Sequence, residues 1–436
     1  MQIILYNPKT SHERHYSFFW IPYSLFSLAS VLKHHGFSVL ILDGNVTEID
    51  TESLLNNVDI TETLCVGISC MTGHQITDGL DFAKTIHRYK PSIPVVWGGT
   101  HPTLFPNQCL NNPEVQYVIR GYGEFAFLNL VVALLKRQDI GFIEGLCLKM
   151  QSGNFITKPA TINNLNNIPD FKWDLIDLNK YVRDDSAISN RTVNYISSRG
   201  CPFSCGFCSE VALHKKVWKS FSSERTVRDV LTLTDLTNAS GVKFYDANYF
   251  VDVKRVMQIS QMLVDNKLKW AASAHPQRLL KLEKYNWKIL EKSGCTRLLI
   301  GAESGMQEVL DFIHKQHNVQ DTLVLAKKLR DSGIVGSFTF IVGFLDNVDI
   351  EVEKTLEMCK AVREIWKRHE TKIHFYAPYP GTPLWNYAIS KGFQPPTQLE
   401  EWANFNYYNV ETGWVDPKYQ KVVDESNKEN CPYVHL

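Results

Sequence analysis

Residues 198–208 read SRGCPFSCGFC, and this stretch decides how the rest of the chain is interpreted. Cys201, Cys205 and Cys208 follow the spacing C-x3-C-x2-C, so three thiols lie on one short loop. Thiolates bind zinc and iron–sulfur clusters, and three of them this close together can reach a single metal centre. Structural zinc normally takes four protein ligands, and the nearest further candidate is His214 in a predicted helix. We predict a 4Fe–4S cluster with one open iron; structural zinc and three free buried thiols are the alternatives.

Length and composition restrict the possible classes of protein. The chain has 436 residues, with 46 Lys plus Arg and 46 Asp plus Glu. The length suggests more than one domain, and the balanced charge gives no support for a nucleic-acid surface or a polybasic membrane anchor. The longest nearly apolar stretch, 125–135, is well short of the ~20 residues that a membrane span needs. The amino terminus reads as a strand rather than a signal peptide, so we expect a cytoplasmic protein whose closely spaced cysteines serve metal binding or catalysis rather than disulfides.

The amino-terminal region, residues 1–150, alternates short apolar runs with helical segments. Because Gly, Pro or Asn bound these runs, we predict a doubly wound, Rossmann-like (flavodoxin-like) parallel sheet. Such sheets bind ligands at the carboxyl ends of their strands, where small residues let a ligand approach the backbone. The alternative is that these glycines only turn the chain, and no GxGxxG motif follows the first strand, which argues against a dinucleotide. The candidate binding residues at these ends are Asn7, Ser69, Gly98, Gly99 and Gly121.

A polar hairpin and linker are predicted over residues 151–190, followed over 191–385 by six strand-then-helix units. Such alternation is typical of parallel barrels, whose sites lie at the carboxyl ends of the strands. The cysteine loop follows the first of these strands. We expect the extension 386–436 to pack across the barrel and its last dozen residues to be frayed. The six strands are predicted to begin near Thr192, Val242, Trp270, Arg297, Ser337 and Lys372.

Several motifs, in order along the chain, resemble those of one enzyme family. The three cysteines with Phe207 match the signature of the radical S-adenosylmethionine (SAM) enzymes. Residues 292–305, KSGCTRLLIGAESG, and 379–384, YPGTPL, are similar to motifs of the subgroup that carries an amino-terminal cobalamin-binding domain. The glycine motifs at 98–99 and 121–124 also resemble that subgroup. The resemblance covers residues 1 to about 390 and implies a partial (β/α)6 radical SAM barrel after the first domain.

This resemblance implies the cofactors and the first step of the reaction. Cys201, Cys205 and Cys208 would hold the 4Fe–4S cluster, and SAM would bind its open iron. An electron, delivered by a donor such as flavodoxin or ferredoxin, would cleave SAM to a 5′-deoxyadenosyl radical that takes a hydrogen atom from the substrate. Phe207 would pack on adenine, and Glu303 with Ser304 would contact SAM; for Glu303 a merely structural role is the alternative.

Other side chains near strand ends are weaker candidates. Asp246 and Asn248 are predicted to bind the methionyl amino group of SAM, and capping of the next helix is the alternative for Asp246. Arg278 and Lys315 are predicted to neutralise the SAM carboxylate, against a solvated or structural role. Three possible acid–base groups, for each of which a structural role is the alternative, are Tyr249, His275 and Tyr376.

Cobalamin binding is implied by part of the subgroup's pattern. The Asp-x-His-x-x-Gly loop that ligates cobalt from below is absent, whereas residues 69–71 and 98–99 are retained. We therefore predict cobalamin without a lower histidine ligand; the alternative is a sheet that has lost its corrinoid. The function predicted first is cobalamin-dependent methyl transfer to an unactivated carbon of a small molecule. A radical dehydratase, epimerase or ring-rearranging enzyme is the second reading, and a non-catalytic iron–sulfur or corrinoid carrier or sensor the third.

Overall fold

The computed structural model describes residues 2–11, 20–47, 62–405 and 412–430, and the chain divides into two compact units. The first unit comprises Met1–Tyr181 with Pro396–Asn406, and the second comprises Val182–Pro395 with Tyr407–Leu436. Each unit is built on a seven-stranded sheet. In the ranges given above, no helix combines the length and apolar character that crossing a bilayer requires.

The sheet of the first unit has the order β2-β1-β3-β4-β5-β6-β7. Pairing is parallel from β2 through β5, and β6 and β7 pair antiparallel at the edge. The order of the five parallel strands confirms the predicted flavodoxin-like, doubly wound sheet. Ile3, Ile4 and Leu5 in β1 are fully buried, which explains why this strand is an unbroken apolar run. The strands are β1 (Gln2–Asn7), β2 (Ser38–Asp43), β3 (Thr63–Ser69), β4 (Val95–Gly98), β5 (Tyr117–Ile119), β6 (Leu146–Met150) and β7 (Gly153–Phe155).

Within the described residues, five helices accompany this sheet. The first ends shortly before Gly36, whose positive φ of 84° lets the chain reverse into β2. Because β1 to β5 are parallel, the loops that carry Asn7, Ser69, Gly98 and Gly121 all leave the same end of the sheet. The helices are α1 (Tyr23–His34), α2 (Gln75–Tyr89), α3 (Thr100–Leu104), α4 (Pro106–Asn111) and α5 (Gly123–Lys136).

The segment after β7, predicted as part of a linker, packs on the first unit as far as Tyr181. Phe171 stacks on Phe26 of α1 with ring centroids 5.4 Å apart. The Tyr181 hydroxyl donates to the Asp43 carboxylate at 2.9 Å. These aromatic side chains bury apolar area against the first unit. The asparagines nearby suggested a linker and gave no sign of this packing. The boundary between the units lies at Tyr181–Val182, within the segment 151–190 that was predicted as hairpin and linker.

The sheet of the second unit has the order β16-β15-β14-β13-β12-β9-β8. The six strands β9, β12, β13, β14, β15 and β16 pair in parallel, which confirms the predicted partial barrel. The sheet is open, because β8, an antiparallel strand that sequence analysis missed, lies at the opposite edge from β16. The strands of this unit are β8 (Arg183–Asp185), β9 (Ser189–Tyr195), β10 (Ser198–Arg199), β11 (Lys219–Ser220), β12 (Gly241–Phe244), β13 (Lys269–Ala274), β14 (Cys295–Glu303), β15 (Val335–Val342) and β16 (Glu370–Phe375).

Helices follow the barrel strands as expected, and the first long one begins at a serine cap. The Ser222 hydroxyl accepts a hydrogen bond from the Arg225 backbone N–H at 3.1 Å, which satisfies a donor at the start of α7. The helices are α6 (Ser209–His214), α7 (Ser223–Thr237), α8 (Val253–Leu263), α9 (Pro276–Leu280), α10 (Lys284–Lys292), α11 (Gln307–Phe312), α12 (Val319–Asp331), α13 (Val348–Ile365), α14 (Trp385–Ser390) and α15 (Lys418–Asn430).

The carboxyl-terminal residues up to 430 are helical, so the expectation of frayed structure is wrong there. Asn427 of α15 donates to the backbone carbonyl of Ile373 at 2.9 Å and accepts from its backbone N–H at 2.7 Å. These bonds satisfy backbone groups of β16, the edge strand of the sheet. Residues 431–436 lie outside the described residues.

Candidate functional site

The cysteine loop begins with a glycine that no other residue can replace without strain. Gly200 has a positive φ of 81°, and a Cβ at this position would lie 2.0 Å from the carbonyl oxygen of Val217. β10, just before it, pairs antiparallel with β11, which brings residues 217–219 back beside the loop. The chain therefore turns sharply into Cys201 because glycine alone allows the close approach.

The middle of the loop is fixed by two backbone hydrogen bonds to distant segments. The Gly206 N–H donates to the carbonyl oxygen of Ile313 at 2.8 Å, and the Leu384 N–H donates to the carbonyl oxygen of Gly206 at 2.9 Å. Leu384 is the last residue of the YPGTPL motif, so that motif packs against the cysteine loop. The positions of Cys205 and Cys208 are thus set by the barrel as well as by the loop itself.

The three cysteines have the donor chemistry and surroundings that an iron–sulfur cluster requires. Cys205 is buried, and Cys201 and Cys208 are half-buried. Burial raises the pKa of all three thiols, that of Cys208 to about 12, so holding them as thiolates requires neighbouring positive charge. Among the described ranges, no three His, Cys, Asp or Glu side chains converge on a position for one metal ion. Cluster ligands bind separate irons, so they need not converge in that way, and the loop fits the cluster.

Asp246 follows β12 and supports the start of the cysteine loop. Its carboxylate accepts hydrogen bonds from the Ser197 backbone N–H at 3.1 Å, from the Ser197 hydroxyl at 2.8 Å, and from the Ser198 hydroxyl. Burial raises the pKa of this carboxyl, although these hydrogen bonds favour its charged form. Asp246 therefore positions the loop, and contact with the amino group of SAM stays a prediction.

Asn248 connects the ends of two neighbouring strands. Its side-chain oxygen lies 3.4 Å from the backbone nitrogen of His275 and 3.3 Å from that of Phe250, and accepts from both. Its side-chain nitrogen lies 3.9 Å from the Cys201 sulfur. The amide therefore faces the cysteine loop, and a SAM contact from Asn248 remains a prediction.

Glu303 ends β14 in a strained backbone conformation and forms a buried ion pair. Its φ is +65°, a left-handed value that residues other than glycine rarely adopt. Its carboxylate lies 2.6 Å from the Lys315 ammonium, and each side chain is 7% exposed. A Cβ on Gly301 would lie 2.1 Å from Glu303 Oε1 and 2.8 Å from Lys315 Nζ, so glycine leaves room for the pair. Strain of this kind is concentrated at functional sites, where the surrounding structure maintains it.

Lys315 is the positive charge that lies near the thiols. Burial alone would lower its pKa, but Glu303 and the cysteines raise the pKa of this ammonium to about 12, so it stays charged. Its charge acts on the thiols of Cys201, Cys205 and Cys208 and favours their ionised forms. Ser304 is fully buried, and its hydroxyl accepts from the Met306 backbone N–H at 3.1 Å. The structure thus brings together Glu303, Ser304, Lys315 and the cysteine loop.

An aromatic contact joins the cysteine loop to the end of β15. The rings of Phe207 and Phe344 lie 5.7 Å apart, and Tyr376 lies 4.7 Å from Phe344 on the other side. The Tyr376 hydroxyl donates to the Leu384 carbonyl at 3.4 Å. Tyr376 is therefore packed as a support of this cluster, and an acid–base role for it stays a prediction.

Sequence analysis missed the residue that holds Phe344 in place. The buried Glu351 carboxylate accepts backbone hydrogen bonds from Gly343, Phe344 and Leu345 at 3.1 to 3.3 Å. Burial raises the pKa of this carboxyl to about 7. Glu351 is an acidic residue in the first turn of a helix, which is common, so the pattern alone does not distinguish it.

His275 and Arg278 both lie near Phe203 of the cysteine loop. The His275 imidazole stacks on the Phe203 ring with centroids 3.6 Å apart, and the Arg278 guanidinium carbon is 5.5 Å from the same ring. Burial, with the charge of Lys315, lowers the pKa of His275 to about 2, so the ring is neutral. The ring of His317, which sequence analysis did not single out, lies 6.3 Å from that of His275. The catalytic role of His275 and the carboxylate contact of Arg278 stay predictions.

Tyr249 lies in an aromatic cluster of the barrel core. It is fully buried, and its ring lies 4.5 Å from that of Phe244 and 5.8 Å from that of Trp270. Within the described part of the chain its hydroxyl has no hydrogen-bond partner. These contacts are those of a core residue, and an acid–base role for Tyr249 stays a prediction.

In the first unit, the predicted residues Asn7 and Ser69 lie at the carboxyl ends of β1 and β3. The Asn7 amide donates to the Asp43 carboxylate at 3.0 Å. The hydroxyls of Ser69 and Ser24 share a hydrogen bond of 3.1 Å. Both side chains therefore connect their strand ends to neighbouring elements, Asn7 to β2 and Ser69 to α1, and their contact with a cofactor stays a prediction.

At this end of the sheet, glycine is required at two positions for two different structural reasons. Gly99 has a φ of +99°, and a Cβ there would lie 2.8 Å from the Cys70 carbonyl oxygen, so the loops after β3 and β4 touch. The Gly98 carbonyl accepts from the Cys70 N–H at 2.8 Å in the same contact. Gly121, with a φ of +79°, is required because its Cβ would lie 2.4 Å from the Ala160 carbonyl oxygen.

A buried histidine follows these glycines and supports the fit of a polar cofactor at this end of the sheet. His101 is fully buried, and burial lowers its pKa to about 4, so it is neutral. Its Nδ1 lies 3.1 Å from the Thr72 hydroxyl. Its Nε2 has no hydrogen-bond partner among the residues that the structure describes. An unused ring nitrogen beside two close-packed glycine loops fits a ligand with polar groups at its edge, as a corrinoid has.

Comparison with known proteins supports both halves of this description. Residues 14–131 match the B12-binding domain family, and residues 195–359 match the radical SAM superfamily. The chain is 29% identical over 377 residues to an uncharacterised methyltransferase of Pyrococcus horikoshii, covering 85% of this chain and 78% of that protein. It is 26% identical over 418 residues to the anaerobic magnesium-protoporphyrin IX monomethyl ester cyclase of Rubrivivax gelatinosus, covering 91% of this chain and 70% of the cyclase.

A solved structure shows the same fold. The radical SAM methyltransferase TsrM from Kitasatospora setae, determined with cobalamin and a 4Fe–4S cluster bound, superimposes with a TM-score of 0.76 at 18% identity. The match covers 91% of this chain and 79% of TsrM. A B12-binding domain thus precedes a radical SAM domain in this chain, which belongs to the cobalamin-dependent radical SAM family of enzymes, with a 4Fe–4S cluster, SAM and cobalamin as cofactors.

Proposed function

We propose that this enzyme transfers a methyl group to an unactivated carbon of a small molecule. The observation that carries the proposal is the combination, in one chain, of a three-cysteine loop beside the buried Glu303–Lys315 pair with a B12-binding domain. When bound, SAM and the cluster supply hydrogen-atom abstraction, and cobalamin supplies the methyl group. The methyltransferase of Pyrococcus horikoshii supports methyl transfer as the outcome.

In this proposal Lys315 and Glu303 prepare the cysteine loop for its cluster. Three thiolates on a buried loop repel one another, and a charged ammonium nearby offsets that repulsion. The Glu303 carboxylate, 2.6 Å away, holds the ammonium in place. Glu303 and Ser304 lie at the carboxyl end of β14, where SAM would extend along the strand ends.

Phe207 and Phe344 are proposed to form an apolar wall beside the cluster. Their rings are in contact at 5.7 Å, and Glu351 holds the Phe344 backbone through hydrogen bonds. A wall of this kind excludes water from a reactive centre, and Phe207 would present its face to adenine. The three cysteines are the proposed ligands of the cluster.

The products formed from SAM test this function without knowledge of the substrate. The protein is reconstituted anaerobically with iron, sulfide and hydroxocobalamin, then reduced with dithionite or with flavodoxin. A methyltransferase should form S-adenosylhomocysteine only when cobalamin is supplied, together with 5′-deoxyadenosine. Cys205→Ala, which lacks one proposed cluster ligand, is the control and should form no 5′-deoxyadenosine.

A second candidate is a radical reaction that does not use the methyl group, such as ring formation, dehydration or epimerisation. The identity with the anaerobic cyclase of Rubrivivax gelatinosus favours it. Formation of 5′-deoxyadenosine by the cobalamin-loaded protein, without any S-adenosylhomocysteine, would support this candidate over methyl transfer. A protein with cluster absorbance that leaves SAM intact would refute both and indicate a carrier or sensor.

A further inference from the structure

A short segment that follows the radical SAM barrel in sequence belongs structurally to the B12-binding unit. Residues 397–405, here called the strap, lie within Pro396–Asn406, which groups with Met1–Tyr181. The strap is ordered by its own side chains: the Glu401 carboxylate accepts from the backbone N–H groups of Thr397 at 2.7 Å and Gln398 at 3.0 Å. A self-supported turn of this kind presents its remaining side chains in a fixed arrangement.

Two amide side chains at α4 bind the strap. Gln108 donates to the carbonyl oxygens of Pro396 at 3.3 Å and Thr397 at 3.1 Å, and its own oxygen accepts from the Trp402 indole at 2.9 Å. Asn112, just after α4, donates to the Glu400 carboxylate at 2.6 Å. One glutamine therefore holds both the start and the centre of the strap.

Trp402 is fully buried against the histidine that follows β4. Its ring lies 5.6 Å from the His101 imidazole, 4.9 Å from the Phe105 ring and 5.1 Å from the Phe405 ring. Trp402 therefore packs directly against the His101 ring. As described above, one nitrogen of His101 is satisfied by Thr72, and the other has no partner in the described ranges.

The strap contacts the loops at the end of the sheet where parallel α/β sheets bind their ligands. His101 lies two residues after Gly99, and Thr72 lies three residues after Ser69. A Cβ on Gly73 would lie 3.4 Å from the Phe405 carbonyl oxygen, so the strap packs on the loop after β3 as well. The strap thus rests on two of the loops that carry predicted cofactor-binding residues, those after β3 and β4.

We propose that the strap completes the corrinoid site, that Trp402 is the positioning residue for His101, and that His101 Nε2 donates a hydrogen bond to the rim of the corrinoid. The inference rests on cobalamin binding by the first unit. In this proposal the Thr72 hydroxyl donates to Nδ1, so that the neutral ring carries its proton on Nε2. The acceptors that a corrinoid offers at its edge are amide carbonyls and the phosphate of its nucleotide tail.

The test is a hydroxocobalamin titration of the full-length protein, followed by absorbance after removal of free ligand. His101→Phe keeps an aromatic ring for Trp402 and removes the donor, so we expect cobalamin to bind about three- to tenfold more weakly. Trp402→Ala frees His101, so we expect cobalamin to bind about tenfold more weakly or worse. Gln108→Ala loosens the strap without leaving a cavity in the core, so we expect a smaller loss of cobalamin affinity. The matched control is Trp414→Ala, because the Trp414 indole donates to Gly343 in the second unit instead.

Iron content after cluster reconstitution and thermal unfolding show whether each variant is folded. Folded Trp402→Ala and His101→Phe proteins that bind cobalamin as tightly as the wild type would overturn the inference, as would an equal loss in Trp414→Ala. If Trp402→Ala does not fold, His101→Phe and Gln108→Ala decide the question. A wild-type protein that binds no cobalamin would instead refute the proposed function, so the two failures are distinguishable.

Discussion

Replacing Lys315 by methionine should separate the structural role of this residue from its role toward the cluster. The Lys315 ammonium and the Glu303 carboxylate are 2.6 Å apart, and both side chains are 7% exposed. Removing one partner of a buried pair leaves an uncompensated charge and costs about 3–5 kcal/mol. For a unit of this size that corresponds to a decrease of roughly 5–20 °C in the melting temperature of the cluster-free protein.

The double variant Glu303→Gln/Lys315→Met removes both charges and isolates the second effect. Because no unpaired ion remains, most of the lost stability should return, to within about 1–2 kcal/mol of the wild type. Cluster assembly should not return, since the Lys315 ammonium that favours the ionised thiols of Cys201, Cys205 and Cys208 is then gone. The expected result is a protein of nearly normal stability that holds little iron and cleaves SAM slowly.

Thermal unfolding by circular dichroism and iron content after reconstitution measure the two effects on the same preparations. The matched control is Lys354→Met, which breaks an exposed Lys–Glu pair whose side chains are 48% and 57% exposed. Surface pairs contribute about 0–1 kcal/mol, so this variant should unfold and load iron as the wild type does. Full iron loading in Lys315→Met would refute the role toward the cluster. A melting temperature unchanged in Lys315→Met would refute the reasoning about the buried pair.

Three further predictions concern other parts of the second unit. Cys205→Ala should abolish cluster assembly and SAM cleavage while cobalamin binding stays nearly intact; loss of cobalamin with SAM cleavage preserved would contradict it. Asp246→Asn exchanges one acceptor oxygen for an amide donor that faces Ser197 and Ser198, which should lower the free energy of unfolding by about 1.5–3 kcal/mol. The variant should also hold less iron after reconstitution, and wild-type iron occupancy would exclude the supporting role. Burial raises the pKa of Glu351 from 4.5 to about 7. Between pH 4.5 and 7 the folded protein therefore keeps a proton on this carboxyl that the unfolded chain has lost. Because the folded state binds more protons, its stability falls as the pH rises through this range. The melting temperature of the wild type relative to Glu351→Gln should therefore be higher near pH 5.5 than near pH 8, and the reverse order would contradict the assignment.

The sequence predicted those parts of the molecule that depend on local pattern. Apolar runs bounded by glycine locate the parallel strands, and the cysteine spacing locates the loop. The six strands of the barrel were placed within a few residues, because each is a buried run followed by an amphipathic helix. The edge strand β8 was missed, because Arg183–Asp185 is a polar triplet without a strand pattern.

Side-chain roles were harder to predict, because they depend on partners far away in sequence. Asp246 looked like a ligand of SAM or a helix cap, yet its oxygens hold residues before the cysteine loop. Gly121 looked like part of a cofactor loop, and its lack of a side chain is explained by contact with Ala160. The strap around Trp402 was expected on the barrel but belongs to the first unit. Aromatic content alone does not say which surface a segment covers.

The motifs of the second unit that resemble the radical SAM family are best understood as one assembly rather than as separate functional elements. Gly206, in the centre of the cysteine loop, is bonded through its backbone to Leu384 of the YPGTPL motif and to Ile313, which follows the 292–305 motif in sequence. Lys315, two residues after Ile313, therefore approaches the thiols because the backbone before it is fixed to their loop. Gly301 and the left-handed Glu303 leave the space into which that ammonium fits. The spacing of the cysteines alone specifies the sulfur ligands of the cluster. The Lys315 ammonium reaches them because the segments that follow the barrel strands are bonded to the cysteine loop.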